Sequence, residues 1–276
     1  MIVTRLMGGL GNQMHQYAAG SVLARKLHAN LIMDLSWFDT IKGDPNVVQR
    51  IYELDGFGIK PINASLVDSL SLKINPAKTF KERGVSYNKE FENLIGNVIL
   101  EGYWQSYKYF RGYEDLVSGL FEFPKSTGNN KKLLEEIYST ESISLHVRRG
   151  DYNTKTSRKY HGLMPLGYYR KAMKIIEPKL TKPRLFVFSD EIDWCKKNVR
   201  FDIPTVFVDS NSLNTGPQDM KLMSACKHNI IANSSFSWWA AWLNRNPKKT
   251  VIAPKNWFAG EEHQIADRIP KDWILL

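Results

Sequence analysis

The segment Ser144-Leu145-His146-Val147-Arg148-Arg149-Gly150-Asp151-Tyr152 puts charge where a buried strand should end. The apolar run at 143–147 predicts that strand, and a strand interior gains nothing from a guanidinium, so these residues are candidates for chemistry at its carboxyl end. Side chains alternate across a strand, which places Arg148, His146 and Ser144 on one face. A guanidinium there can bind two oxygens of a diphosphate, a geometry that a flexible ammonium matches less well. An internal ion pair between arginine and Asp151 is the structural alternative.

Two later strand ends also carry acids, in Phe188-Ser189-Asp190 and Phe207-Val208-Asp209. A carboxylate at such an end suits recognition of a base or a ribose. Asp190 precedes Glu191-Ile192-Asp193-Trp194, which reads as a first helical turn, so it serves equally as a helix cap; Asp209 is the better ligand candidate. Asn233-Ser234-Ser235-Phe236-Ser237 offers three hydroxyls and backbone donors before a helix starting near Ser235, an arrangement suited to phosphate or simply to capping. Gly8-Gly9-Leu10-Gly11-Asn12-Gln13 follows the first strand and can expose backbone N–H groups to an anion or a sugar. It also partly matches a dinucleotide fingerprint. Met14 stands where the third glycine belongs, while Asp34 mimics the acid that binds ribose, so a nicotinamide-binding oxidoreductase is a rival reading.

The elements that must hold these residues alternate. A strand at 2–7, a helix and a strand at 31–35 make one βαβ unit. The pattern weakens from 36 to 97 and resumes at Val98-Ile99-Leu100-Glu101-Gly102-Tyr103-Trp104. Residues 124–130 are polar and rich in turn formers, so the domain boundary is placed there, giving domains 1–125 and 126–276, with the extreme C-terminus able to pack back on the first. Beyond it, strands are predicted at 143–147, 185–188, 205–208, 230–232 and 251–253, and helices at 165–179, 190–199, 216–227 and 235–245. The fold class is therefore α/β, with two parallel sheets and ligands expected at the carboxyl ends of strands in a cleft between the domains. Trp238, Trp239 and Trp242 fall at helical spacing and read as core packing.

Composition narrows the classes further. The chain has 276 residues, two cysteines (Cys195 and Cys226) and a net charge of +10. Two unpaired cysteines suggest a reduced, cytoplasmic setting, and no signal peptide or apolar run of about 18 residues is seen. The positive charge favours an anionic partner, such as a phosphorylated small molecule, nucleic acid or the anionic inner face of a membrane. Scattered basic residues argue against a nucleic-acid arm, so a basic binding protein is the third reading. The chain has no Asp-x-Asp for a divalent cation, no Gly-x-Ser-x-Gly elbow and no His-Glu-x-x-His helix, which leaves neither a metal site nor a hydrolase motif.

Four motifs in series resemble the bacterial α1,2-fucosyltransferases, glycosyltransferase family 11. They are Gly8-Gly9-Leu10-Gly11-Asn12-Gln13-Met14, Glu101-Gly102-Tyr103-Trp104-Gln105, His146-Val147-Arg148-Arg149-Gly150-Asp151-Tyr152 and the run from Ile231 to Leu243, with Pro254-Lys255-Asn256-Trp257-Phe258 as a fifth. The resemblance implies a GT-B architecture with an N-terminal acceptor side and a C-terminal donor side. It implies metal-independent, inverting transfer from GDP-β-L-fucose to the 2-hydroxyl of a galactose-terminated oligosaccharide or lipid-linked glycan, as in O-antigen and other polysaccharide synthesis. No cofactor is implied beyond that donor. Another GDP-sugar transferase of the same fold is the runner-up. On this reading Arg148 binds the diphosphate and stabilises departing GDP, and Asp151 is nominated as the base. His146 and Asp209 contact guanine and ribose, Ser234, Ser235 and Ser237 form the phosphate turn, and Phe236, Gly9, Gly11, Asn12 and Gln13 are further substrate-binding residues. His15 departs from the family pattern, in which the loop more often continues with phenylalanine.

Overall fold

Short apolar runs alternating with helices build two separate sheets, and every strand pair in both is parallel. The computed structural model describes residues 1–44, 47–62, 73, 75–153, 159, 161–209, 216–259 and 267–276. The chain divides into one unit of Met1–Glu122 with Ala266–Arg268 and another of Phe123–Ile265 with Ile269–Leu276.

The first unit contains β1 (Ile2–Arg5), α1 (Leu10–Lys26), β2 (Leu31–Asp34), α2 (Ser36–Thr40), β3 (Lys78–Lys81), β4 (Val98–Glu101) and α3 (Glu114–Leu120). Its strands lie in the order β2-β1-β4-β3, with Ile2 opposite both Leu31 and Val98. Helix α1 is buried on most of its surface, as expected for a helix enclosed by its own domain. Gly20 lets it approach the sheet, because a Cβ there would lie 3.0 Å from the Thr4 Cβ and from the Leu31 Cδ1. The edge strand β3, with sequence Lys-Thr-Phe-Lys, falls in the interval where no element was predicted. Its charged ends suit an edge strand, where lysines discourage further pairing, but they hide it from a hydrophobic pattern.

The second unit contains α4 (Gly128–Ser139), β5 (Glu141–Val147), α5 (Leu166–Ile176), β6 (Pro183–Ser189), α6 (Ile192–Asn198), β7 (Thr205–Phe207), α7 (Gly216–Ala225), β8 (His228–Ile230), α8 (Ser235–Leu243), β9 (Val251–Ala253) and β10 (Ile274–Leu275). The sheet order is β10-β9-β8-β5-β6-β7. Strands β5 and β6 are buried almost throughout, and Ile143, Leu145 and Val147 pack with Tyr169, Met173 and Ile176 of α5. Strand β8 begins two residues earlier than its apolar run predicts, since the polar side chains of His228 and Asn229 are buried and bonded. The segment predicted as a linker is half helical: Gly128 opens α4, and Ser126 is buried with its hydroxyl donating to Gln218 Oε1 at 2.9 Å. The extreme C-terminus supplies β10 to the second sheet, whereas 267–268 belong to the first unit. Among the described residues no helix is long and apolar enough to cross a membrane.

In an open parallel sheet, ligands bind where the chain's strand order reverses. That point lies between β1 and β4 in the first unit and between β5 and β8 in the second. The motifs singled out from the sequence follow these four strands.

Candidate active site

Arg148 directly follows β5, and its guanidinium is held by two carboxylates. Its Nη2 is 2.7 Å from Asp151 Oδ1 and its Nη1 is 3.2 Å from Asp190 Oδ2. The guanidinium carbon also lies 5.5 Å from the Tyr152 ring centroid. Five N–H donors in a planar fork allow an arginine to be held this way and still present donors to a further anion. Arg149 turns elsewhere: its Nε meets Glu191 Oε2 at 2.8 Å, and its guanidinium lies 3.7 Å from the Trp194 ring centroid. Asp151 thus pairs with the first arginine, as the internal-pair alternative has it.

Asp190 is not the cap of α6. Glu191 occupies the N-cap position, and the Glu191 N–H donates to the Ser189 hydroxyl at 3.0 Å. The other Asp190 oxygen, Oδ1, accepts the Arg149 backbone N–H at 3.0 Å, so one carboxylate fixes both the turn and the Arg148 side chain. Its approach requires Gly150, where a Cβ would sit 2.6 Å from Asp190 Oδ2. Local sequence reasoning leaves Asp190 open between a ligand and a helix cap and does not find this brace; the glycine inside the Arg-Arg-Gly-Asp run is the available signal.

His146 points from β5 to the same strand end and is buried, with its ring 5.7 Å from that of Phe236. Burial, assisted by the Arg148 cation, lowers its pKa to about 3, so the imidazole is neutral at physiological pH. Its Nδ1 is buried without a hydrogen-bond partner among the described residues. Across the switch point, Ser234 is the N-cap of α8 in extended conformation, and its side chain makes no capping bond. The first N–H groups of a helix lack intrahelical acceptors and carry the positive end of its dipole. Ser237 turns inward, donating to Ser234 O at 3.2 Å, whereas Ser235 and Phe236 are half-buried at the helix start. The Tyr152 hydroxyl donates to Asn233 O at 3.3 Å and its ring stacks on His161 at 4.2 Å, which ties the loop after β5 to the loop after β8. Asp209 stays outside this cluster: it is exposed after the edge strand β7, 2.6 Å from Lys196 Nζ, and that ammonium holds its carboxyl below the usual range.

The glycine loop of the first unit is a packed turn. Gly8 has a φ of 76°, and a Cβ there would lie 2.6 Å from Asn12 Nδ2. Gly9 is the N-cap of α1, and Gly11 lies buried in the first turn. The Gln13 side chain is fully engaged: Nε2 donates to Gly8 O and Ile51 O, and Oε1 accepts the Glu53 N–H. Asn12 Oδ1 accepts from Gln105 Nε2 at 2.6 Å, bridging α1 to the segment after β4. Asp34 pairs with Arg5 Nε at 2.9 Å through Oδ2 and accepts the Ser36 N–H through Oδ1, so the acid read as a ribose ligand holds protein partners on both oxygens. His15 is buried against Phe110, and burial with the nearby Arg268 cation pushes its pKa well down. Among the described residues no group of three or more His, Cys, Asp or Glu is placed to hold a metal ion.

The model of glycosyl transferase family 11 matches residues 87–276. An Escherichia coli alpha-1,2-colitosyltransferase is 34% identical over 100% of this chain and 99% of its own length. The O-antigen biosynthesis glycosyltransferase WbnK of Escherichia coli is 35% identical over 92% of this chain and 94% of its own. A mouse galactoside 2-alpha-L-fucosyltransferase, Sec1, is 32% identical over 37% of this chain and 28% of its own. Among solved structures, the NodZ alpha-1,6-fucosyltransferase co-crystallized with GDP aligns with a TM-score of 0.51 at 17% identity, over 87% of this chain and 91% of its own. The Bradyrhizobium NodZ structure gives 0.50 at 15% identity, over 87% and 92%. At these identities the likeness is one of fold, and the fold is the two-sheet GT-B type.

Proposed function

We propose, proceeding from the fact that this chain belongs to glycosyl transferase family 11, that it transfers L-fucose from GDP-β-L-fucose to the 2-hydroxyl of a galactose-terminated glycan with inversion. The observation that carries this reading is the clamped Arg148 guanidinium at the switch point of the second sheet, tied through Tyr152 to the start of α8. As the acceptor oxygen bonds to the anomeric carbon, the bond from that carbon to the β-phosphate oxygen breaks, and its electron pair passes to GDP. Charge grows on the β-phosphate, where Arg148 and the N–H groups opening α8 offset it. Neutral His146 can exchange a hydrogen bond with guanine without adding a charge, and Asp209 is assigned to the ribose. Asp151 has two roles here: one oxygen orients Arg148, and the other is the nominee for taking the proton of the acceptor hydroxyl.

The full-length likeness to a colitosyltransferase supports a second reading, in which the donor sugar is colitose. Colitose is L-fucose without its 3-hydroxyl, so the phosphate chemistry is unchanged and only contacts to C3 differ. The name of WbnK supports an O-antigen type of acceptor, and the net charge of +10 supports peripheral contact with an anionic inner membrane from the cytoplasmic side. Salt-sensitive cosedimentation with anionic vesicles tests that contact.

Titration with GDP, GDP-fucose, GDP-colitose and NADPH in buffer with a metal chelator, followed by a galactoside and detection of released GDP, tests the reaction. Release with one of the two donors, absent for Arg148→Ala, supports it and identifies the sugar; one well-placed donor to developing charge is worth about 10²–10³ in rate. Binding of NADPH but not GDP overturns it. Transfer that demands a divalent cation overturns the metal-independent mechanism.

A further inference from the structure

The turn after β4, Gly102-Tyr103-Trp104-Gln105, takes no part in the diphosphate chemistry, yet it is built with unusual rigidity. Trp104 has a φ of 53°, in the left-handed region that bulky residues rarely enter. Its ring is wholly buried, stacked 5.9 Å from Phe80 and edge-on to Tyr109 at 5.2 Å, so packing holds the backbone in that conformation. A single carboxylate oxygen, Glu82 Oε2, accepts the N–H groups of both Tyr103 and Trp104, at 2.7 and 2.9 Å. Gly102 permits this approach, because a Cβ on it would lie 2.4 Å from that of Glu82. Gln16 donates to Gly102 O at 3.2 Å while accepting the Met7 N–H at 2.9 Å, which joins the turn to the end of β1.

This fixed turn presents Tyr103 to solvent, 45% exposed, at the switch point of the first sheet. The only other exposed aromatic among the described residues is Tyr138, on α4 before the amino end of β5, the end of a sheet where ligands do not collect. An aromatic ring on a rigid mount offers contact area at little ordering cost.

We propose that Tyr103 is the platform on which the terminal pyranose of the acceptor stacks, with Glu82 as the residue that positions it. The proposal deepens the reading above, in which that pyranose is a galactose. In a β-galactoside the axial 4-hydroxyl leaves the C3, C4 and C5 hydrogens as one apolar patch, which complements the electron-rich face of a phenol ring. The equatorial 2-hydroxyl stays at the edge of the sugar, open to react. A glucoside lacks that patch and stacks less well.

The test uses Tyr103→Ala, Tyr103→Phe and Glu82→Gln, with methyl β-D-galactoside as probe. Tyr103→Ala is expected to raise the acceptor KM about tenfold, with GDP affinity and Tm held, whereas Tyr103→Phe stays within about threefold of wild type. Glu82→Gln is expected to raise acceptor KM while kcat and GDP affinity hold. Saturation-transfer NMR on the wild type should be strongest at the H3, H4 and H5 protons of the galactoside and lost in Tyr103→Ala. An acceptor KM unchanged in Tyr103→Ala overturns the platform while leaving the reaction standing. If the wild type transfers to no galactoside, the reaction falls, and the NMR decides the platform alone: signal lost in Tyr103→Ala sustains it, and no signal in the wild type overturns it.

Discussion

Replacing Asp190 with Asn separates clamping of Arg148 from the mere presence of an arginine. The Asp190 side chain is only 10% exposed, with Oδ1 on the Arg149 N–H at 3.0 Å and Oδ2 on Arg148 Nη1 at 3.2 Å. An amide of the same shape carries one oxygen and one NH2. If the oxygen stays on the Arg149 N–H, the NH2 faces Nη1, donor against donor; if the amide flips, it opposes the Arg149 N–H instead. Either way one hydrogen bond to a charged group is lost, worth about 1.5–3 kcal/mol. On the proposed role of Arg148 as the leaving group departs, that loss should appear as a fall in kcat of about 10–100-fold. Tm should drop by about 3–9 °C. Gly150→Ala reaches the same carboxylate from the other side, since its new Cβ would sit 2.6 Å from Oδ2 and 3.1 Å from Cγ. It removes no charge, so a matching fall in kcat isolates position as the cause. The assay is GDP release at saturating donor and acceptor on purified, folded protein, beside a thermal melt. If both variants keep kcat within about threefold of wild type, the clamp does not serve catalysis and the reasoning fails.

Asp209→Ala should leave Tm unchanged, because its partner Lys196 is a screened surface cation, and should raise the donor KM if the carboxylate holds the ribose; an unchanged donor KM removes Asp209 from the site. Asn229→Leu should lower stability by about 2–4 kcal/mol and Tm by about 5–10 °C, since Asn229 donates to Ser144 Oγ and Met223 O and accepts from Asn244 inside the second unit; a Tm within about 2 °C of wild type contradicts this. His146 binds no proton in the folded protein until about pH 3, whereas the unfolded chain takes one near 6.5. Its contribution to stability is therefore complete above pH 6.5 and declines as pH falls toward 3. Thermal melts across that window should steepen in the wild type and flatten in His146→Asn.

How far the sequence reveals such a site depends on whether the partners are neighbours along the chain or neighbours in the sheet. Strand β6 announces itself through a continuous apolar run and β5 through apolar residues at every second position, and Arg148 with Asp151 is legible because the two lie three residues apart. Asp190 is not, since its meeting with Arg148 follows from β6 lying beside β5, a fact that no local pattern contains. The same distinction explains Gln13. It reads as a ligand-seeking amide in a glycine loop, but the fold brings Ile51 and Glu53 to its side chain, which becomes a brace. Polar residues buried for structural reasons also shift elements, as Asn229 and His228 do in β8, and exposed lysines conceal an edge strand, as they do in β3. Glycines are the exception to this blindness. Gly102 and Gly150 each record, at their own positions, that a distant carboxylate comes too close for a Cβ: Glu82 in the first unit and Asp190 in the second. A glycine just past a strand end, beside residues of unusual chemistry, is thus a local mark of a nonlocal contact, and it points to the partner to be sought at the end of an adjacent strand.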